Sequence, residues 1–293
     1  MERGRIEFDE LNGGIDLTAT IESGQTYCWR REDGRMFDGT GGQPWYYTIH
    51  DGEFVRVRER DEGIEWVATT DAVPILRERL RLDDDLPAIW ARVPDDDLIH
   101  EARSFADGLR IVRDPPFETL VTFICSAQMR VARIHEMATG MARAFGPELV
   151  VDGETYHAFP DPDRLAAATE AELRDLGLGY RAPYVERTAE MVATGEARPE
   201  AAREREYEAA REALTAFVGV GNKVADCVCL FSLGFLQAVP LDTWIRTAIE
   251  DQYPEVEAGS YAETSRGIRE RFGDEYAGYV QTCVFSYLRQ TDG

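Results

Sequence analysis

Residues 217–231 read FVGVGNKVADCVCLF, and the two glycines near their centre constrain the fold more than any other stretch. The spacing of apolar residues predicts helices over 203–216 and 223–236, so Gly219 and Gly221 stand in a short connection between them. Two glycines flanking one residue permit a tight turn whose backbone N–H groups point outward at the start of the next helix. That is an anion site built without side-chain charge. The same spacing also suits a plain connection between helices. Apolar Leu214, Phe217 and Val218 before the turn, with Val224 and Ala225 after it, favour a helix–hairpin–helix over about residues 210–235. Such a motif grips one DNA backbone without reading its sequence.

Just behind the hairpin sits Lys223. The chain has 32 Lys plus Arg, and every one but Lys223 is arginine. Arginine binds phosphate at least as well as lysine, but it cannot lose its proton and attack carbon. A lysine amine can do so, forming a Schiff base when a helix N-terminus or burial depresses its pKa. Lys223 is therefore read as a nucleophile rather than as a surface lysine. Cys227, one helical turn on, points into the same pocket. Downstream, QAVPLDTWIRTAIED places Asp242 at the start of a helix, where its plain role is an N-cap. A capping aspartate held in place can also serve a neighbouring reaction centre.

The net charge of −23 is spread along the whole chain. With lysine almost eliminated, this reads as a halophilic surface. Strong acidity argues against nucleic acid as a partner, but in molar salt the Debye length is only about 3 Å and long-range repulsion is screened. Backbone amides are indifferent to net charge. Five cysteines (Cys28, Cys125, Cys227, Cys229 and Cys283) have no C-x-x-C spacing, which argues against a disulfide framework or a zinc site. No apolar run approaches the ~18 residues of a membrane span, and MERGRIEFDE lacks the apolar core of a signal peptide. The expectation is a cytoplasmic, nucleoid-associated monomer.

Residues 5–70 read as strands, notably RIEF, GIDLTATI, QTYCWRRE, PWYYTIHD and EFVRVRER. From residue 71 the pattern turns helical, through DAVPILRERLRL, DDDLIHEARSFADG and one long stretch over 116–146. A capping box is expected from Thr169 to Glu172, and further helices over 180–194, 242–252 and 274–290. The fold class is α+β: an N-terminal antiparallel sheet domain with trailing helices (1–108), then an α-helical domain (109–293).

SGQTYCWR (23–30), DPPFETLVTFICSAQMRVARI (114–134), LGLGYRAPYV (176–185), VGVGNKVADCVCL (218–230), QAVPLDTW (237–244) and YAGYVQTCVFS (276–286) together resemble the 8-oxoguanine DNA glycosylase/AP lyases of the helix–hairpin–helix superfamily. The match is nearly end to end and in the family's order. The resemblance implies Lys223 as the nucleophile at the sugar C1′ and Asp242 as the carboxylate that stabilises charge and relays protons. It implies Gly24 as the residue whose carbonyl reads the lesion, since N7 carries a hydrogen in 8-oxoguanine and is an acceptor in guanine. Cys227 and Phe285 would sandwich the extruded base and Gln281 would bond its pairing edge. Arg133 and Arg181 would contact the orphaned cytosine, and Tyr180 would wedge into the vacated step. Gly219 and Gly221 hold the backbone, and a monovalent cation at the hairpin carbonyls is implied, with no catalytic metal.

Gln128, Met129 and Arg130 stand where the family has three asparagines, so weaker discrimination among opposite bases is expected. Trp244 replaces a histidine and Val218 a proline. No C-terminal four-cysteine cluster links the chain to the iron–sulfur branch. The sequence thus points to excision of 8-oxoguanine from duplex DNA, or cleavage at abasic sites, by base flipping and Schiff-base chemistry. The alternatives are a broader purine-lesion glycosylase or AP lyase, and a non-catalytic DNA-binding module. A Schiff-base aldolase fits Lys223 but not the hairpin.

Overall fold

The computed structural model describes residues 1–39 and 41–291. Strands β1 (Glu2–Glu7), β2 (Arg30–Arg31), β3 (Tyr46–His50), β4 (Glu53–Arg60) and β5 (Gly63–Ala68) form one antiparallel sheet in the order β1-β5-β4-β3-β2. Asp51 and Gly52, both at positive φ (49° and 83°), turn β3 into β4, as an Asp-Gly hairpin requires. Two expectations fail here. GIDLTATI is not a strand: Leu17–Glu22 is helix α1, because the Asp16 carboxylate accepts from Ala19 N–H at 2.6 Å and caps it. Ile15, Leu17, Ala19 and Ile21 alternate, whereas Leu17, Thr20 and Ile21 fit helical spacing, and the cap decides. In QTYCWRRE only Arg30–Arg31 is strand; Gln25 and Thr26 are held by side-chain bonds instead.

The helices α2 (Val73–Arg79), α3 (Leu86–Trp90) and α4 (Asp97–Phe105) follow the sheet. The long pattern over 116–146 is two helices, α5 (Pro116–Ile124) and α6 (Val131–Phe145). The break between them carries Gln128 at a φ of 56°. A hairpin that the sequence reading passed over, β6 (Glu148–Val151) and β7 (Glu154–His157), turns at Asp152-Gly153. Then come α7 (Pro162–Ala166), α8 (Glu170–Asp175), α9 (Ala182–Ala193), α10 (Tyr207–Leu214), α11 (Asn222–Val228), α12 (Thr243–Gln252), α13 (Tyr261–Arg271) and α14 (Ala277–Thr291). The Thr169–Glu172 capping box opens α8 as expected. No helix among the described residues is long and apolar enough to cross a membrane.

One core lies under the sheet (Ile6, Leu17, Ile21, Trp29, Val55, Val57, Ile64, Leu76) and a larger one among the helices. The segment 24–29 straddles both: Cys28 and Trp29 belong to the first, Tyr27 to the second. Polar groups fix this seam. Gln25 Nε2 donates to the carbonyls of Thr20 (2.9 Å) and Arg110 (2.8 Å), while Gln25 Oε1 accepts from Val112 N–H at 2.9 Å. Asp114 receives the Thr26 hydroxyl on one oxygen and Arg79 on the other, at 2.7 Å. Its own N–H donates to Phe231 O (2.8 Å), and its carbonyl accepts from Ser232 Oγ (2.7 Å). Phe231 and Ser232 lie in the π-helical turn that continues α11, so the sheet segment and the hairpin helix share one anchor.

Arg110 is 0% exposed and donates to four backbone carbonyls, those of Asn12, Gly14, Arg81 and Asp84, at 2.8–3.0 Å. Removing it strands acceptors that water reaches poorly, each worth about 1–3 kcal/mol. Arg110→Met should therefore lose about 3 kcal/mol or more in urea unfolding. The surface control Arg143→Met should stay within about 0.5 kcal/mol of wild type. Equal, small changes in both would contradict the seam's role.

Candidate active site

The hairpin between α10 and α11 closes with Val220 N–H donating to Phe217 O at 3.2 Å. Gly219 has a φ of 82°, and a Cβ there would meet the Tyr184 ring at 2.7 Å; both facts demand glycine. Gly221 is the N-cap of α11, in extended conformation, and no side chain among the described residues caps the first turn. Its leading N–H groups are left for an external acceptor. Val218 and Tyr180 beside it are large apolar side chains 39% and 51% exposed.

Lys223 occupies the second position of α11. Its Nζ donates to Ser126 Oγ at 3.1 Å and lies 5.5 Å from the centre of the Phe123 ring. Ser126 in turn donates to Phe123 O at 2.7 Å, so the hydroxyl presents a lone pair to the ammonium. Asp242 is the N-cap of α12, accepting from Ile245 N–H at 2.9 Å. Burial pushes its carboxyl up, against the pull of Lys223 and the Ile245 and Trp244 amides. Cys227 is buried, and its thiol is pushed up to about 12 by that burial, with Lys223 opposing. Lys223 thus acts electrostatically on both Asp242 and Cys227.

Gly24 has a φ of 101°. A Cβ there would lie 3.0 Å from Val131 Cγ2, 3.1 Å from Arg289 Nη1 and 3.2 Å from Phe285 Cε1. Gly24 and Phe285, 261 positions apart, are therefore in contact. Gln281, one turn earlier on α14, is buried, and its Oε1 accepts from Thr282 Oγ1 at 3.1 Å.

Three neighbours escaped the sequence reading. Tyr27 packs edge-on against Phe123 (5.5 Å between centroids), and its hydroxyl is raised by burial and by Cys227 and Asp242. Arg289 lies over the Phe285 ring at 5.6 Å and donates to Glu22 O at 2.9 Å. Ser126 holds Lys223. Arg289, at i+4 from Phe285, carried a helical-spacing signal; Ser126, 97 positions from Lys223, carried none.

A second group lies at the loop between α5 and α6. Arg181, 2% exposed, donates through Nη2 to Ala127 O and stacks over the exposed Tyr180 ring at 4.3 Å. Considered without its neighbours, Arg181 reads as a solvated helix-face charge; it is a buried strut of the loop that carries Gln128. Arg133 is exposed, paired with Glu136 at 2.6 Å, and its guanidinium fills the space where a Cβ on Gly177 would stand. The five cysteines are buried and free. Among the described residues no group of three or more His, Cys, Asp or Glu is placed to hold a metal ion.

Residues 6–120 match the family model of the 8-oxoguanine DNA glycosylase N-terminal domain, and residues 121–272 match that of the HhH-GPD superfamily base excision DNA repair proteins. The chain belongs to the 8-oxoguanine DNA glycosylase family. Its α+β architecture, an antiparallel sheet domain followed by a helical helix–hairpin–helix domain, is the one expected for that family. Among its relatives is the N-glycosylase/DNA lyase of Saccharomyces cerevisiae, 32% identical over 260 residues, 81% of this chain and 68% of the relative. A probable N-glycosylase/DNA lyase of Methanothermobacter thermautotrophicus is 30% identical and is matched over 95% of both chains. The Clostridium acetobutylicum 8-oxoguanine glycosylase/lyase, solved with dsDNA containing cytosine opposite 8-oxoG, superposes with a TM-score of 0.82 at 29% identity. That match covers 95% of this chain and 93% of the other.

The glycosylase-family helix α11 also carries a fully buried carboxylate, Asp226. Burial raises it from the ordinary 3.8 to about 7, against hydrogen bonds from Tyr207 and Tyr261 and the charge of Arg211. The unfolded chain loses this proton near its ordinary pKa, whereas the folded chain keeps it until about 7. Between those values the folded state binds the extra proton, so this group's contribution to stability falls as pH rises. Asp226→Asn lacks that term. The melting-temperature difference, variant minus wild type, should grow more positive between about pH 4.5 and about pH 7.5; a constant difference would contradict it.

Proposed function

We propose that this chain is a bifunctional DNA N-glycosylase and AP lyase that excises 8-oxoguanine from duplex DNA and nicks the strand by β-elimination. The observation that carries the reading is the lone lysine at the start of α11, behind an uncapped hairpin and near enough to Asp242 for its charge to oppose the upward push on that carboxyl. The first N–H groups of α11, with Gly219 and Gly221, would hold a backbone phosphate without side-chain charge, the repulsion of the −23 net charge being screened in molar salt. The hairpin carbonyls suit a monovalent cation: Phe217 O accepts from Val220 N–H and Val218 O weakly from Thr188 Oγ1, and each keeps a lone pair to offer. Such a cation would brace the turn. We place this work at the nucleoid.

The extruded base would lie between Phe285 and Cys227, with Gln281 at its pairing edge. The Gly24 carbonyl would accept the N7 hydrogen that only the lesion has. Guanine there would leave two acceptors facing each other, a cost of about 1–3 kcal/mol. Lys223 Nζ passes a proton to Asp242 and attacks C1′; the C1′–N9 bond breaks as the C1′–Nζ bond forms, and the base leaves with the electron pair and takes up that proton. Asp242, poised on its cap, stabilises the positive charge at the sugar and passes protons. Ring opening gives the imine, and loss of a C2′ proton expels the 3′ phosphate.

Tyr180 would fill the vacated step. Exposed Arg133 would offer a fork of donors to the O2 and N3 acceptors of the orphaned cytosine, and Arg181, held through Nη2 by Ala127 O, would add its unbonded Nε. The longer Gln128 amide lines the same loop, beside a Met129 that packs on the helical core. Cytosine is then the best partner base, with weaker discrimination than three asparagines would give.

Lys223→Gln should abolish excision and borohydride cross-linking on an 8-oxoguanine:C duplex while retaining duplex binding, since the phosphate grip is main chain. Asp242→Asn keeps a capping side chain, so its stability should change by less than the ~1 kcal/mol of cap loss. Its single-turnover rate should nevertheless fall by orders of magnitude. A Lys223→Gln enzyme that still excises 8-oxoguanine would refute the reading.

A further inference from the structure

Asp226 follows Lys223 by three residues on α11 and has no part in the chemistry above. Its Oδ1 accepts from the Tyr207 hydroxyl of α10 at 2.7 Å, and its Oδ2 from the Tyr261 hydroxyl of α13 at 2.8 Å. Arg211 Nη1 stands 3.8 Å from Oδ2. The two tyrosines differ in what else they hold. The Tyr261 oxygen also accepts from Leu241 N–H at 3.1 Å, and Leu241 is the residue before Asp242. Pro240 offers no N–H, so the Leu241 amide is the first main-chain donor after it, and it is spent on Tyr261. A chain of hydrogen bonds therefore runs from the helix that carries Lys223, through Asp226 and Tyr261, to the turn that carries Asp242.

We propose that Tyr261, clamped by Asp226, is a positioning residue: it fixes the Asp242 turn relative to Lys223 during the glycosylase and lyase steps. This rests on the function proposed above. The segment 235–241 is irregular chain between the π-helical turn and α12, without a helical ladder of its own to fix where α12 begins. Misplacing a reacting group by about 1 Å can cost about a hundredfold in rate. Tyr207 supplies the internal control, because it bonds the same carboxylate and none of residues 240–242.

The test compares Tyr261→Phe with Tyr207→Phe in the full-length protein. Phenylalanine keeps the ring that Arg211 and Arg246 lie over at 5.6 and 5.8 Å and removes only the hydroxyl. Each variant is assayed for single-turnover excision and borohydride trapping on an 8-oxoguanine:C duplex in molar KCl, for affinity to a duplex with a tetrahydrofuran abasic analogue, and for melting temperature. Expected are similar losses of melting temperature and unchanged duplex affinity in both. The chemical rate should drop about tenfold or more in Tyr261→Phe and by less than about twofold in Tyr207→Phe. A Tyr261→Phe enzyme with the wild-type rate overturns the proposal, and so does an equal loss in both variants. If the wild-type protein itself traps no adduct, the assigned function falls and the positioning role with it; if it traps and Tyr261→Phe keeps pace, only the positioning role falls.

Discussion

The buried amide of Gln25 is the contact on which the rest of the site depends. Its three hydrogen bonds, to Thr20 O, Arg110 O and Val112 N–H, join α1 to the irregular segment that leads into α5. Next to it, Thr26 and Arg79 converge on Asp114, whose main chain grips the turn after α11. Gly24 stands against Phe285, and the turn that follows Lys223 and Cys227 is tied to the same seam. A pocket assembled from two cores needs such a seam, because each core packs its own side chains without reference to the other. Neutral amides and backbone carbonyls make most of it, so it does not weaken with salt as exposed ion pairs do.

The same logic explains how so acidic a chain can work on a polyanion. Many of its arginines are committed to carboxylates on its own surface: Arg5 to Glu62, Arg58 to Glu65, Arg187 to Glu196, Arg266 to Glu208. These pairs add little stability individually, and they leave little free positive charge on the surface around them. On the proposed reading, phosphate binding then falls to the uncapped amides of α11, and lysine is retained where a deprotonatable amine is needed.

What could be read from the sequence divides along physical lines. The hairpin, its lysine and the Asp242 cap are local: glycine geometry, helix starts and one-turn spacings are written in contiguous residues. Residues 14–21 misled because Ile15, Leu17, Ala19 and Ile21 alternate while Leu17, Thr20 and Ile21 fit a helix, and only the Asp16 cap breaks the tie. The 116–146 stretch hid its break because Cys125–Arg130 contains no glycine or proline, and Gln128 takes the positive φ instead. The site's long-range pairs, Lys223 with Ser126, Gly24 with Phe285, Tyr261 with Leu241, have no period or spacing that announces them. The resemblance to glycosylases located Gly24 and Phe285, and it was silent on Ser126, Tyr27 and Arg289.

The central claim is that the amine at the start of α11 forms the covalent bond to DNA. Its most direct test is mass spectrometry of the borohydride-reduced complex after proteolysis. With one lysine in the chain, the alternatives reduce to two peptides. The account predicts the deoxyribose-derived adduct on the peptide containing Lys223. An adduct on the N-terminal amine of Met1, with the Lys223 peptide unmodified, would contradict it.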